Sequence, residues 1–377
     1  MWFLPKIKNR LPQHLQRIKK ELIKKKTALP SKETLPRKDR LLLQEITKLT
    51  EEYNLNNVTR TKAYLEFYQR CPEIHWAFLG HMVSRNGGWN MTDLKGSLLS
   101  RLLTKKQQDS FFSFLERGNW LIFQDAYPQF LVYEESLKRG INSFYLLPYL
   151  HVSAFMESVW NYFWKDKDKY TLTVALVINE QSYLESRILA DPTFKKEIFN
   201  SLEFQLQDVL SMNHILLPFE NSGRIQLIGQ TLHHFESLHE RILLGKRLYE
   251  ILFSDGPRLR KIEKWAKSTP HTGSRKDYWP HLFHSVDEGI PGTFLKPRLI
   301  SCELAPGSPR FYSPALQSVW KDVKHLPAEK GDWYKNWQVI YYLMNYPLKV
   351  DGEIENEYCK TIEKIEIAGN TKKVIFD

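Results

Sequence analysis

The spacing of apolar residues from Asp39 onward most constrains the fold. Leu42, Ile46 and Leu49 recur every three or four positions, which places them on one side of an α-helix. Residues that end helices interrupt this pattern, either because they lack an N–H or because they accept positive φ. The breaks lie at Pro72, Asn86-Gly87-Gly88, Asp191-Pro192 and Asp255-Gly256-Pro257.

Between these breaks the periodicity predicts a run of helices. Asp39, Thr59 and Thr104 are candidate N-caps, because their side-chain oxygens can accept a hydrogen bond from the first turn. A helix capped by Thr59 should end near Cys71, before Pro72, and Thr92 or Asp93 should begin a later helix. Further helical segments are predicted at 73–84, 104–118, 119–138, 143–164, 170–190, 193–214 and 223–254.

The last third of the chain has a different character. Residues 268–314 are rich in Pro and Gly with little periodicity, which is typical of a functional loop or a wrapping segment. Short helices are predicted at 315–323 and 333–345, and a hairpin with strands 361–367 and 372–376. The sequence therefore predicts a mostly α fold, a multi-helix globular body with an irregular C-terminal region and a small terminal β-hairpin. The predicted divisions are a basic arm and linker (1–39), a helical body (40–267) and the irregular region packed on the body (268–377).

The positive charge of the chain is concentrated at its N-terminus. Residues 1–40 hold 13 Lys or Arg and three acidic residues, for a net charge of +10, whereas the rest of the chain has a net charge of +1. Within this arm, residues 13–26 have Leu15, Ile18 and Leu22 at helical spacing among basic residues, which predicts a basic amphipathic helix.

Two kinds of anionic partner suit such an arm, and the sequence leaves them undecided. A basic amphipathic helix can lie on an anionic membrane surface, and the same residues can contact nucleic-acid phosphates. The alternative is a solvated tail that aids solubility. No stretch reaches the about 18 apolar residues that span a bilayer, so we expect a cytoplasmic protein that can associate with a membrane surface.

The three cysteines, Cys71, Cys302 and Cys359, lie far apart in the sequence and form no CxxC pair. This spacing provides neither a zinc knuckle nor a dithiol redox motif. An odd, low count is typical of a reducing compartment. We therefore interpret all three as buried free thiols.

The densest polar stretch is HMVSRNGGWNMTDLKG, residues 81–96. If the glycines form a turn, their N–H groups can bind an anion, and Arg85 adds a permanent charge. The alternative is a helix–turn–helix joint with caps at Asn86 and at Thr92 or Asp93. Capping leaves Arg85, Trp89 and Asn90 unexplained, so these residues and Asn86 are candidate binding residues.

A second stretch, PHTGSRKDYWPHLFH at 270–284, repeats this composition. It can supply an acid–base His and an anion-binding Arg, or it can be a latch. In the latch, Arg275 pairs with a body carboxylate while Tyr278 and Trp279 pack as anchors. The binding candidates here are Ser274, Arg275 and Asp277.

Metal binding has one weak candidate pair, Glu236 and His239. Their i, i+3 spacing is that of carboxylate-bridged di-iron bundles, but the chain has no second such pair. A core histidine is the preferred interpretation of His239. The chain also lacks the Walker A, GxGxxG, HExxH and GxSxG motifs, and no cofactor is predicted.

The strings EIHWAFLGHMVSRNGGWNMTDLKG (73–96) and HTGSRKDYWPHLF (271–283) resemble the YppC-like family of spore-forming Gram-positive bacteria, catalogued as domain of unknown function 2515. The resemblance covers roughly residues 40–345. It implies a bacterial, cytoplasmic setting, and it brings no activity, ligand or catalytic residue with it.

We therefore expect a binding or accessory protein whose arm contacts an anionic partner and whose body has an anion-binding pocket. The pocket should be lined by His81, Arg85, Asn90, Asp93 and Arg275. The alternative is a hydrolase or transferase on an anionic substrate, with an Arg clamp and with catalytic candidates His81, Asp93 and His271. A helical metal-binding protein is the third hypothesis.

Overall fold

The structure is a computed structural model, which describes residues 11–24, 31–189, 213–288, 298–329, 331–344 and 350–376. Helices dominate it, as predicted. They are α1 (Gln13–Lys24), α2 (Arg37–Tyr53), α3 (Asn57–Arg70), α4 (His75–Asp93), α5 (Lys105–Arg139), α6 (Ala154–Asp166), α7 (Lys169–Leu184), α8 (Leu238–Phe253), α9 (Gly256–Ser268), α10 (Leu316–Val319) and α11 (Glu355–Phe376).

The strands are short and pair in twos. Strand β1 (His214–Asn221) and strand β2 (Arg224–Thr231) form an antiparallel hairpin. Its two-residue turn has Ser222 and Gly223 at positive φ, as tight hairpin turns require. The remaining pairs have two residues per strand: β3 (Phe283–His284) with β6 (Phe311–Tyr312) in parallel, and β4 (Leu299–Ile300) with β5 (Glu303–Leu304) antiparallel.

The centre of the body is the 35-residue helix α5, which packs against α2, α3, α4 and α7. Thr104 begins α5 in a capping box with Gln107, as the sequence predicts for its start. Aromatic rings fill the space between α3, α4 and α5, with Phe67 stacked on Phe130 at 4.8 Å. Tyr64 meets the Trp76 ring edge-on at 5.4 Å. Stacked and edge-on pairs of this kind stabilise a core beyond the area they bury.

Several helix boundaries differ from the prediction. Helix α2 begins at Arg37 rather than at a cap on Asp39. Asn56, not Thr59, is the N-cap of α3, and Thr59 is its capping-box partner. Helix α5 continues through Gly118 to Arg139, and Thr92 and Asp93 close α4 instead of opening a helix.

The structure contains an antiparallel hairpin, but it does not lie where the sequence predicts one. Residues 355–376 form helix α11, so the prediction of a terminal hairpin at 361–376 is wrong. The apolar pattern there belongs to a helix whose buried face includes Tyr358, Ile362 and Ile365. The observed hairpin occupies 214–231, where the sequence predicts helices at 193–214 and 223–254. Most of the first of these lies outside the described residues.

The arm helix α1 is packed on the body. Leu15, Ile18 and Leu22 are each at most 4 % exposed and lie against α6 and the 3₁₀ segment Trp337–Leu343. Lys19 Nζ lies 3.5 Å from the centre of the Trp337 ring, a cation–π contact. The apolar face of the predicted amphipathic helix is therefore already occupied by the protein itself.

Two of the three cysteines are not free, which corrects the sequence interpretation. Cys302, in the β4–β5 turn, forms a disulfide with Cys359 of α11, and their Cα atoms are 5.4 Å apart. Cys71 is free and buried. Spacing along the chain gave no sign of the pair, because the fold brings together residues 57 positions apart.

Within the described part of the chain, none of the helices has the length and apolar character to cross a membrane.

The packing of α1 predicts unequal effects for two isoleucines on the same helix. Ile18 is 1 % exposed and Ile23 is 61 % exposed. We expect Ile18→Ala to lower the free energy of unfolding by about 2–4 kcal/mol, because it leaves a cavity. Ile23→Ala should change it by less than about 0.5 kcal/mol. Urea denaturation of both variants is the measurement, and equal effects would show that α1 does not pack on the body.

Candidate functional site

The two polar stretches singled out in the sequence meet in the structure. Helix α4 carries residues 81–93, and the loop after α9 folds against it. We call their contact region, residues 81–93 with 269–279, the polar junction. Thr92 Oγ1 donates to the Gly273 carbonyl at 2.7 Å, and Asn86 Nδ2 lies within 3.4 Å of Tyr278 Oη.

Arg275 is the centre of the polar junction. Its Nε donates to Asp93 Oδ2 at 2.6 Å, and its Nη1 donates to the Tyr358 hydroxyl of α11. The guanidinium lies over the Trp89 ring, 3.8 Å from its centre. Arg275 is 6 % exposed and Asp93 3 %. Tyr278 and Trp279 are also buried, so the segment has the latch arrangement that the sequence allows.

Arg85 has a similar structural environment. Its Nη2 donates to the carbonyls of Thr269 and Pro270, at 2.8 and 3.2 Å. The Trp265 ring covers the guanidinium at 4.4 Å. Arg85 is 1 % exposed. Its described hydrogen-bond acceptors are the carbonyl groups that follow α9.

The predicted turn at Asn86-Gly87-Gly88 is wrong, since α4 continues through it to Asp93. Asn86 instead anchors strand β1, with Nδ2 donating to the Leu216 carbonyl and Oδ1 accepting from the Leu216 N–H. A Cβ atom at Gly88 would lie 2.5 Å from Asn57 Oδ1 and 2.7 Å from His271 Cε1. Gly88 therefore lets Asn57 and His271 pack closely against α4. This packing offsets the loss of helix stability that glycine causes, about 1 kcal/mol.

Burial shifts the protonation of the catalytic candidates. Burial, together with nearby Arg85, lowers the pKa of His81 to about 3, and the same two causes lower the pKa of His271. Burial raises the pKa of Asp93 to about 6, against the opposing effect of Arg275. Both imidazoles are therefore neutral at pH 7, with His81 Nδ1 hydrogen-bonded to the Thr61 carbonyl and His271 Nε2 to Asn57.

The remaining binding candidates lie in the same region. Trp89 is 1 % and Ser274 2 % exposed, and Ser274 Oγ donates to the Ser313 carbonyl. Asp277 accepts from the N–H and hydroxyl of Thr272. Asn90 is half-buried. The segments thus converge as expected, and a binding or catalytic role for their residues stays a prediction.

The metal pair does not have the geometry that its spacing suggested. Glu236 lies in an exposed turn before α8, whose N-cap is Ser237. His239 Nδ1 instead hydrogen-bonds with Tyr342 Oη at 3.2 Å. Among the described residues, no group of three or more His, Cys, Asp or Glu is placed to hold a metal ion.

A cleft that sequence reasoning missed lies between α5 and an irregular segment. We call residues 320–329 the strap. The cleft has a volume of about 630 Å³, within the roughly 300–1,000 Å³ of small-molecule sites. Carboxyl, amide, imidazole and aromatic groups line it. Its polar lining includes Glu51, Gln124, Asp125, Asp322, Lys324 and Glu329.

Asp125 of α5 is an exceptional group in the cleft wall. It is 5 % exposed, and its Oδ2 accepts from Gln129 and from Asn179 of α7. Its Oδ1 is buried and has no hydrogen-bond partner among the described residues. Burial raises the pKa of Asp125 to about 7, although the Asn179 hydrogen bond and Arg187 oppose this. Such an acceptor costs free energy unless a donor reaches it.

Side chains, rather than backbone hydrogen bonds, hold the strap in place. In the described structure no backbone–backbone hydrogen bond involves residues 321–329. At one end the Trp320 ring stacks on Phe112 at 4.0 Å. Arg117 donates to the Leu326 carbonyl at 2.7 Å, and Arg187 donates to the Glu329 carbonyl at 3.2 Å. His325 Nε2 lies 3.4 Å from Glu116 Oε1.

A second, smaller cavity of about 120 Å³ lies between α3, α4, α7 and α8. Arg60 Nε and Tyr64 Oη in its wall are buried without a partner in the described structure. Burial raises the pKa of Glu180, also in this wall, to about 7. A cavity of this size with polar groups suits a few buried water molecules, so the cleft is the better ligand site.

Sequence reasoning has one weak indication of the cleft. Asp125 belongs to no recognisable motif, because its neighbours Gln124 and Ala126 carry no catalytic or binding signature. Its partner Asn179 lies 54 residues away in a helix whose sequence is mostly apolar. An acidic residue on the buried face of a helix is the available signal.

The fold and these two polar regions define a mostly helical protein whose C-terminal segments fold back onto a helical body. The chain belongs to the family described as "Protein of unknown function (DUF2515)", whose model matches residues 52–358, which confirms the resemblance noted from the sequence. It is 41 % identical over 266 residues to the uncharacterized protein YppC of Bacillus subtilis (strain 168). That match covers 66 % of this chain and 82 % of YppC. No solved structure matches.

The polar junction predicts a large effect of breaking its ion pair. We expect Arg275→Met to lower the free energy of unfolding by about 3–5 kcal/mol, because Asp93 is left as an uncompensated buried carboxyl. Chemical denaturation measures the effect. Adding Asp93→Leu to Arg275→Met should restore part of the lost free energy of unfolding, because the unpaired carboxyl is then removed.

The control is Arg70→Met, which breaks a pair with Glu134 in which the Arg70 side chain is 47 % exposed. Exposed pairs contribute about 1 kcal/mol or less. Similar destabilisation by the Arg70 and Arg275 variants would contradict a structural role for the buried pair.

Proposed function

We propose that this protein is a binding protein whose ligand is a small polar molecule held in the cleft beneath the strap. The observation that supports this most is Asp125 Oδ1, a buried acceptor with no described partner in the wall of a cleft of suitable volume. Buried polar atoms are nearly always hydrogen-bonded. A ligand donor at this position would satisfy the oxygen.

Displacement of the strap would let the ligand enter the cleft. Segments with few backbone hydrogen bonds open at low free-energy cost, and residues 321–329 of the strap form none in the described structure. Its exposed side chains include Leu326, which is 80 % exposed. Displacing the strap would break the side-chain contacts of Arg117, Arg187 and His325 while leaving the helices around Asp125 intact.

The polar junction is a less suitable ligand site than the cleft. Arg85 and Arg275 already donate to protein acceptors and are buried, although Arg85 Nε has no described partner. An enzyme using His81 or His271 as base and an Arg clamp remains the alternative hypothesis. Against it, both imidazoles are buried within the protein.

The proposal is tested by filling the cleft. Ala328 lies in its wall and is half-buried, so Ala328→Trp should occupy the ligand volume without changing Asp125. Ligand-observed NMR with a mixture of ammonium, hydroxyl, carboxylate and phosphate compounds is the measurement. We expect at least one compound to bind the wild type and to show no binding signal with Ala328→Trp.

Asp109→Asn, on the same helix α5 but exposed, is the control and should bind as the wild type does. Signals that persist in Ala328→Trp, or no signal with the wild type, would contradict a ligand site in the cleft.

We propose in addition that the arm binds an anionic polymer, and that nucleic acid suits it better than a lipid surface. Helices that lie in a membrane insert an apolar face, whereas the apolar face of α1 is buried on the body. Lys20 and Lys24 of α1 are exposed. Binding to nucleic-acid phosphates needs only such charges and counterion release.

Fluorescence anisotropy with a labelled DNA duplex tests this role. The log of the affinity should fall linearly with the log of the salt concentration. The double change Lys20→Gln and Lys24→Gln should reduce the steepness of that slope by about 1 for each lysine that neutralises a phosphate. The control, Lys48→Gln with Lys62→Gln, removes two exposed charges from the body. Binding to phosphatidylglycerol vesicles without DNA binding would favour the lipid partner instead.

A cytoplasmic location is also part of the proposal, and it rests on the similarity to a bacterial family. In a reducing compartment Cys302 and Cys359 would be held as a dithiol. Alkylation of thiols in intact cells, followed by mass spectrometry, distinguishes that state from the disulfide.

A further inference from the structure

We propose that the ligand of the strap cleft is a small organic cation, such as a primary amine or a guanidine, with its charged group against Asp125. This inference rests on the proposed function and names the ligand class of the same site. It differs from the anionic ligand expected from the sequence.

The charges in the cleft wall support a cation. Four carboxyl groups line it, on Glu51, Asp125, Asp322 and Glu329, against one ammonium, on Lys324. Lys324 is exposed and makes no ion pair with a described residue. Asp322 is held in position by Asn56, whose Nδ2 donates to Asp322 Oδ1 at 2.8 Å. A carboxylate ligand would meet like charges on several sides.

Two arginines that hold the strap are already engaged with the protein, although neither lines the cleft. Arg117 lies over the Trp120 ring and donates to the strap carbonyl of Leu326. Arg187 lies over the Tyr183 ring and donates to the carbonyls of Glu329 and Gly331. An anion would have to take these groups from their present acceptors, whereas a cation finds carboxylate acceptors in the wall.

Asp125 suits a cation because its two oxygens have different surroundings. Oδ2 accepts two amide hydrogen bonds, and these fix the orientation of the carboxyl. Oδ1 has no described donor, so an ammonium or guanidinium N–H can supply one. A cation within hydrogen-bonding distance of Asp125 favours the ionised carboxylate. The resulting charge-assisted hydrogen bond is stronger than one between neutral groups.

Three probes with one carbon skeleton test the inference. They are 1,4-diaminobutane, 1,4-butanediol and succinate, which are cationic, neutral and anionic at pH 7. We expect the wild type to bind the diamine at least tenfold more tightly than the diol, and to bind succinate more weakly still. Isothermal titration calorimetry at constant ionic strength is the measurement.

Two variants locate the interaction. Asp125→Asn keeps the size of the side chain and removes its charge, so it should weaken diamine binding at least tenfold while leaving diol binding within a few-fold. Asp109→Asn removes a charge from an exposed position of the same helix and should leave the diamine affinity unchanged.

The outcomes separate the ligand class from the site. If the diol or succinate binds best and Ala328→Trp abolishes that binding, the cation inference is overturned and the cleft remains a ligand site. If the diamine binds equally well to the wild type and Asp125→Asn, the inference fails. If the diamine also binds equally to Ala328→Trp, the proposed function fails with it.

Discussion

The buried ion pair between Arg275 and Asp93 joins two parts of the chain that the sequence keeps far apart. Asp93 ends helix α4 in the helical body, and Arg275 lies 182 positions later in a segment with little regular structure. Because the loop has no ladder of backbone hydrogen bonds, its position depends on side chains of this kind. Arg275 also binds Tyr358, so the same guanidinium connects α4, the loop and helix α11. Such a pair fixes which surfaces meet, although desolvation removes most of its net contribution to stability.

Once this contact is made, the other irregular segments have defined neighbours. The loop places Phe283 beside Phe311 in the short β3–β6 pair. Helix α11 receives further contacts from Arg298, whose Nε donates to Glu366 at 2.6 Å, and from the Cys302–Cys359 disulfide. The C-terminal region is thus held to the body by a few strong polar contacts and by buried aromatic rings. This explains how the described part of a segment rich in Pro and Gly can adopt one structure.

The fold class was predictable because helical periodicity is a local property. The terminal hairpin was misplaced because a short apolar pattern such as that of residues 361–376 fits either a strand or a buried helix, and tertiary packing decides between them. The turn at Asn86-Gly87-Gly88 was wrong for a related reason. Asn and Gly favour helix ends in isolation, but here Asn86 binds strand β1 and Gly88 admits His271. The convergence of the two polar stretches was predicted from composition alone. The strap cleft was not, since Asp125, Asn179 and the strap come from distant parts of the chain.

The two polar regions differ in whether a charged partner compensates their buried carboxyl, although both contain buried polar atoms without a described partner, such as Arg85 Nε in the polar junction. In the polar junction the charged groups of Arg275 and Asp93 bind each other, so their burial is compensated within the fold. Asp125 is nearly as buried, yet one of its oxygens has no described donor. This carboxyl lies in a wall with three others, beneath a strap that is held mainly by side chains, and the proposed ligand site rests on this arrangement. For this protein, the strap cleft is therefore our first candidate for a ligand site, ahead of the polar junction.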